Sequence, residues 1–190
     1  MKTDKIFYIL FQTFPELLFQ LIGESPQLAD HYKFESIEIK ELSFGLDGLF
    51  LPEEQYVNDP IYFVEVQFQE DPDFYWRFIT EIFLYLNQYK PQRRCYAVVL
   101  WADPQLEPDF PLPYQHLLVN EHLYRIYLDQ LNLENPTSLG LSIIQFIMAT
   151  ASEARETVPL LINQARRQLI SIEMLLSLKI DKIFANYDHA

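Results

Sequence analysis

The sequence predicts an α/β domain built as a small mixed sheet flanked by helices, and three observations carry that prediction. Residues 61–69 alternate strictly, with Tyr62, Val64, Val66 and Phe68 on one face and Phe63, Glu65, Gln67 and Gln69 on the other, because side chains along a strand repeat with period two. Phe74, Phe78, Ile82, Leu86 and Tyr89 then recur every three or four residues up to Lys90-Pro91, the spacing of one helix face. Cys95 to Trp101 is continuously apolar, as a strand covered on both faces is. Strand, crossover helix and strand in succession make a parallel unit.

The remaining elements follow in order. Phe7, Leu10, Phe11, Phe14, Leu17, Leu18 and Leu21 lie at helical spacing across residues 4–22. Proline is tolerated at a helix start and not in its interior, so Pro15 predicts a kink or a short second helix, with Glu16 in its first turn and Gly23 at its end. Ser25 to Lys33 reads as a polar connector. Phe34 to Ile39 and Leu46 to Leu51 read as two short antiparallel strands around a turn marked by Gly45. Residues 52–60 form an acidic loop closed by Asn58-Asp59-Pro60. Asp71-Pro72 is a fitting start for a helix of about five turns. Prolines 104, 108, 111 and 113 mark an irregular loop, and Leu123 to Leu128 is a candidate edge strand. Ser138 to Thr150 and Ser152 to about Phe184 have helical patterning, with Pro159 expected to kink or restart the second segment. The expected organisation is a core over residues 1–135 and a helical C-terminal extension over 136–190, packed on the same domain.

Composition bounds the function. The 190 residues are 49% hydrophobic and 15% aromatic, which excludes a disordered chain. One cysteine, Cys95, excludes an internal disulfide or a cysteine-rich zinc site; its apolar strand makes packing the expected role. His31, His116, His122 and His189 have no metal spacing and read as surface or loop residues. The apolar run Ile6 to Phe11 is too short for a signal peptide, and no run approaches the roughly 20 residues of a membrane span. A soluble, cytoplasmic protein that meets no membrane is therefore expected.

Two acidic residues stand out by position. Asp47 opens or ends a short strand beside Gly48, and Glu65 lies within the clearest strand, both expected on the sheet's polar side. If these strands pair, the two carboxylates approach each other, an arrangement that favours a shared cation or proton. Mg²⁺ suits such a pair, since hard divalent ions take oxygen ligands, and the backbone carbonyl of Val66 can add one.

Asp47-Gly48 followed on the next strand by Glu65-Val66-Gln67 resembles the PD-(D/E)XK nuclease superfamily. The stretch from Tyr32 to Tyr85, with Phe34-Glu35-Ser36, Glu38-Ile39-Lys40, Asp47-Gly48-Leu49-Phe50 and Phe63-Val64-Glu65-Val66-Gln67-Phe68-Gln69, resembles its branch of recombination-promoting nucleases and putative transposases. The resemblance implies a restriction-endonuclease-like fold and hydrolysis of DNA phosphodiesters with Mg²⁺, or Mn²⁺ in its place. It implies Asp47 and Glu65 as catalytic metal ligands, and Glu16 as the counterpart of a helical glutamate that some members add to the metal site. Gln67 stands where the superfamily usually has lysine; glutamine can orient a water but brings no charge and cannot act as a base.

Charge points to a rival. The formal net charge is −13, and residues 35–73 hold eleven acids against one base, Lys40, which opposes a polyanion surface. A DNA grip is expected from Arg77, Arg93-Arg94, or the C-terminal bases Arg166, Arg167, Lys179 and Lys182. The alternative is a catalytically inactive nuclease fold serving as a protein-interaction or assembly module. In either case Leu160, Leu161, Ala165, Leu169, Ile172, Leu175 and Leu176 could close a homodimer through the C-terminal helices, or cover the sheet.

Overall fold

A computed structural model describes residues 3–39, 44–118, 122–133 and 135–167, with side chains described over 6–35, 48–115, 122–133, 135–150 and 152–165. The chain divides into two compact units, Met1–Leu128 and Asp129–Ala190. Unit one contains a five-stranded mixed sheet in the order β1-β2-β3-β4-β5, formed by β1 (Tyr32–Ile39), β2 (Phe44–Pro52), β3 (Ile61–Gln67), β4 (Cys95–Trp101) and β5 (Leu123–Tyr127). The β1–β2 and β2–β3 pairs are antiparallel, and β3–β4 and β4–β5 are parallel. The predicted α/β class and the edge position of the last strand match this sheet.

Helices cover both faces. Helices α1 (Thr3–Thr13) and α2 (Glu16–Leu21) are separate, because Pro15 has no N–H to continue the ladder. Gly23, at φ 77, closes α2: its N–H donates to the Gln20 carbonyl and Glu24 N–H donates to Phe19, the paired bonds of a left-handed helix end. Phe7, Phe11 and Phe19 from these helices meet Phe68, Phe50 and Tyr62, with ring centroids 5.6 to 5.8 Å apart. Helix α3 (Phe74–Tyr89) covers the other face, where Phe63, Phe74, Tyr75, Phe78, Tyr85, Val99 and Trp101 form one buried cluster. Lys90 adopts the left-handed conformation at the end of α3, and Pro91 follows.

Several local expectations change. A 3₁₀ turn over Pro26–His31 shortens the connector, and β1 begins at Tyr32. Gly45 belongs to β2 rather than to a turn, and Asp47 lies inside that strand. Helix α3 has 16 residues and starts at Phe74, because the Asp71 carboxylate accepts from Asp73 N–H at 3.1 Å in a turn that precedes the helix.

Unit two contains α4 (Leu139–Met148) and α5 (Ala151–Arg167), which pack together. Ser138 caps α4 by accepting from Leu141 N–H at 3.3 Å, and Ser142 Oγ donates to Gln164 Oε1 at 2.9 Å. Helix α5 runs through Pro159 without restarting. A proline there removes the single ladder bond to the Arg155 carbonyl, and two residues earlier the Thr157 hydroxyl donates to the Glu153 carbonyl at 3.0 Å. The expected continuation to Phe184, with Leu169, Ile172, Leu175 and Leu176, lies outside the described residues.

Candidate functional site

Glu65 is the penultimate odd-numbered residue of β3 on the face covered by α3, two positions after Phe63. The polar, outward face expected for it is corrected: Ile61 to Val66 are all buried, and Glu65 is 3% exposed. The reason is that α3 packs over this part of the sheet. A second carboxylate, Glu81 on α3, is 1% exposed. Between them lies Arg77, one turn before Glu81 on the same helix.

The Arg77 guanidinium gathers three carboxylates. Its Nη1 lies 3.4 Å from Glu65 Oε1 and 3.5 Å from Glu81 Oε1, and its Nη2 lies 3.2 Å from Asp71 Oδ2. Burial works against the Arg77 charge, but Glu65, Glu81 and Asp71 outweigh it and hold the guanidinium above its ordinary pKa. Glu65 and Glu81 lie on the buried side of this cluster, whereas Arg77 and Asp71 are about a third exposed. Arg77 also stacks over the Phe74 ring at 5.6 Å. It is therefore committed to this cluster rather than extended as a DNA grip. Arg93 is similarly committed: it donates to the carbonyls of Tyr56, Glu53 and Asp59 and so ties down the acidic loop. His31 pairs with Asp59 at 2.7 Å and stacks on Tyr56 at 3.7 Å in the same loop.

The backbone brings position 47 toward Glu65. The β2–β3 register runs Phe50↔Tyr62, Leu49↔Phe63 and Gly48↔Val64, and it ends there, one residue short of Asp47 on β2 and of Glu65 on β3. Its side chain lies outside the described residues. The β1–β2 register shifts between Glu35↔Leu49 and Ile37↔Leu46, which leaves Asp47 and Gly48 together opposite Ser36 as a β-bulge. Such bulges re-aim side chains and are common beside functional sites. Gly48 is tightly enclosed: an added Cβ would lie 3.1 Å from the Phe34 ring and 3.3 Å from both the Val64 Cβ and carbonyl oxygen.

Gln67 ends β3 on the same face as Glu65, and its carbonyl accepts from Ala102 N–H at 2.9 Å on the β4 side. Strand carbonyls alternate in direction, so the Val66 carbonyl faces β2, where the pairing has ended at Gly48↔Val64. The Glu65 carboxylate and the Val66 carbonyl are hard oxygen donors. Among the described residues no group of three or more His, Cys, Asp and Glu side chains is arranged to hold a metal ion. Glu16 opens α2; the same helix puts Phe19 against Tyr62, on the opposite face of β3 from Glu65. Lys40 lies outside the described residues.

Asp71 and Glu81 are members of this cluster that the motif does not contain. A signal for Glu81 exists in the spacing 74, 78, 81, 85, which places it on the apolar stripe of α3 with three buried aromatics. No helix among the described residues is long and apolar enough to cross a membrane.

A family model described as "Protein of unknown function (DUF2887)" matches residues 3–185. No curated protein and no solved structure matches the chain.

Proposed function

The chain belongs to the DUF2887 family, whose description names no function; from the motif and the burial of Glu65 we propose that it is a metal-dependent DNA endonuclease of the PD-(D/E)XK superfamily, of the recombination-promoting, transposase-associated type. The observation that carries the proposal is Glu65, an acid buried to 3% exposure on a central strand, beside the end of the β2–β3 ladder where Asp47-Gly48 is bulged. A carboxylate in such a position is rarely there for solubility, since acids are almost never fully buried without a charge to answer.

In this function Asp47, Glu65 and the Val66 carbonyl hold Mg²⁺ or Mn²⁺. The ion, when bound, supplies Lewis acidity for attack of water on the phosphodiester. Gln67, on the same face as Glu65, orients the water by hydrogen bonding. Arg77 offsets the carboxylate charge and holds the Glu65 side chain in one position. Glu16 is left out of this set, because its helix packs against the opposite face of β3 from Glu65. The C-terminal bases and a homodimer through the C-terminal helices would supply DNA grip and two-strand cleavage.

A specific observation favours a second function. A guanidinium already stands 3.4 Å from Glu65, and together with Gln67 in the lysine position and the −13 charge it fits an inactive nuclease fold that acts in protein assembly.

Plasmid cleavage with Mg²⁺ or Mn²⁺ separates the two. Wild type, Asp47→Ala and Glu65→Ala are compared, each confirmed folded by circular dichroism. Nicking by wild type alone supports the nuclease; absence of both nicking and metal binding in the wild type supports the assembly module.

A further inference from the structure

A second feature of unit one lies away from the carboxylate cluster. Between α3 and the amino ends of β4 and β5 is a cavity of about 180 Å³. Helix α3 contributes Phe78, Ile82 and Leu86, while the sheet contributes Phe63, Cys95 and Ala97. No carboxylate, lysine or arginine is among its described lining residues. The hydroxyl of Tyr75, another lining residue, is already engaged by Glu107 and Arg125. At the rim Phe83 is 49% exposed, and the exposed His122 packs edge-on to Tyr96 at 5.2 Å.

Protein interiors seldom hold voids much larger than one water, and an apolar cavity of about 150 Å³ takes up benzene-sized molecules rather than water. This pocket has a similar volume, and it is open to solvent on one side, by Phe83 and His122. Its walls are rich in aromatic rings, which favour offset and edge-to-face contacts with another ring. Among the described lining residues the one side chain that can carry a positive charge is His122, at the rim.

We propose that this cavity is a binding site for a small uncharged aromatic molecule of benzene to indole size. The site shares α3 and β3 with the carboxylate cluster but does not depend on the nuclease assignment.

The chain's single cysteine makes the test specific, because Cys95 lines the cavity and any thiol label reports from it alone. The alkylation rate of Cys95 by N-ethylmaleimide is measured on the full chain with indole, with benzoate as a charged ring of similar size, and with neither. Indole at roughly ten times its Kd is expected to slow the reaction about tenfold, since only the empty fraction stays reactive; benzoate is expected to leave it unchanged. Ala97→Leu, which fills the cavity, is expected to abolish saturable indole binding in equilibrium dialysis. Should that variant not fold, Ile82→Phe serves the same purpose. Failure of indole to protect wild-type Cys95 overturns the proposal. So does equal indole binding by the filled variants, or protection that appears only as protein concentration rises, which would assign the cavity to a second copy of the chain.

Discussion

Arg77 Nη1 stands 3.4 Å from Glu65 Oε1, so the group that answers this buried acid is a guanidinium brought from α3 across the face of the sheet. Removing it would take a cation away from two buried acids, Glu65 and Glu81. Arg77→Met is expected to destabilise unit one by about 3 kcal/mol, the usual effect of stripping one partner from a buried ionic group. Urea denaturation measures this. Adding Glu65→Gln and Glu81→Gln to the same variant should recover most of the loss; if the triple variant is no more stable than Arg77→Met, the charge imbalance is not the cause.

Under the nuclease assignment, Glu65→Gln is expected to reduce metal-dependent plasmid nicking by at least about a hundredfold, because a bound metal contributes several kcal/mol of transition-state stabilisation. Gln67→Ala keeps the ligands and should lower the turnover rate while leaving the metal concentration for half-maximal activity unchanged. A parallel shift in that concentration would make Gln67 part of the metal site instead.

Gly48 has no room for a side chain. Gly48→Ala places a Cβ 3.3 Å from the Val64 carbonyl oxygen, and backbone there cannot step aside as a flexible side chain would. Overpacking of this kind costs about 1–3 kcal/mol. The melting temperature should fall accordingly, and under the nuclease assignment nicking should fall with it because Asp47 is the adjoining residue. An unchanged melting temperature would mean that β2 relaxes freely at the bulge.

Alkaline pH tests the tyrosine pair on Glu107. Burial first, and then the hydrogen bond to Glu107, push Tyr127 up to about 12, and Tyr75 is pushed up by the same two causes. Unfolded tyrosines release their protons near the ordinary value of 10.0, whereas the folded chain retains them. The stability from this pair is therefore complete below about pH 10 and is lost as pH rises toward and through about 12. Urea midpoints measured across that window should decline, and Tyr127→Phe should flatten the decline.

The order of helices and strands was legible because the apolar period changes from about 3.6 to 2 and back at recognisable turn residues. Glu65 was legible as a residue but not in its surroundings. Alternation alone assigned it a polar face, whereas α3 buries both Phe63 and Glu65. The Arg77–Glu65 pair joins a helix to a strand twelve residues earlier, and no local pattern encodes such a contact. Glu81 could have been found, since its place between Phe78 and Tyr85 on the buried stripe is a local signal. The bulge was hidden because Gly45 and Gly48 suggested a turn and an isolated short strand. Register across two strands, which one sequence does not carry, decides that case.

The extra residue in β2 also bears on how this protein could change by deletion. Ile37↔Leu46 and Glu35↔Leu49 pair on either side of the bulge, two residues apart on β1 and three apart on β2. Loss of the single codon for Asp47 would leave Gly48 alone opposite Ser36, restore an unbroken ladder, and keep both flanks in phase. Such a deletion would remove the acid and the irregularity of the strand in a single step.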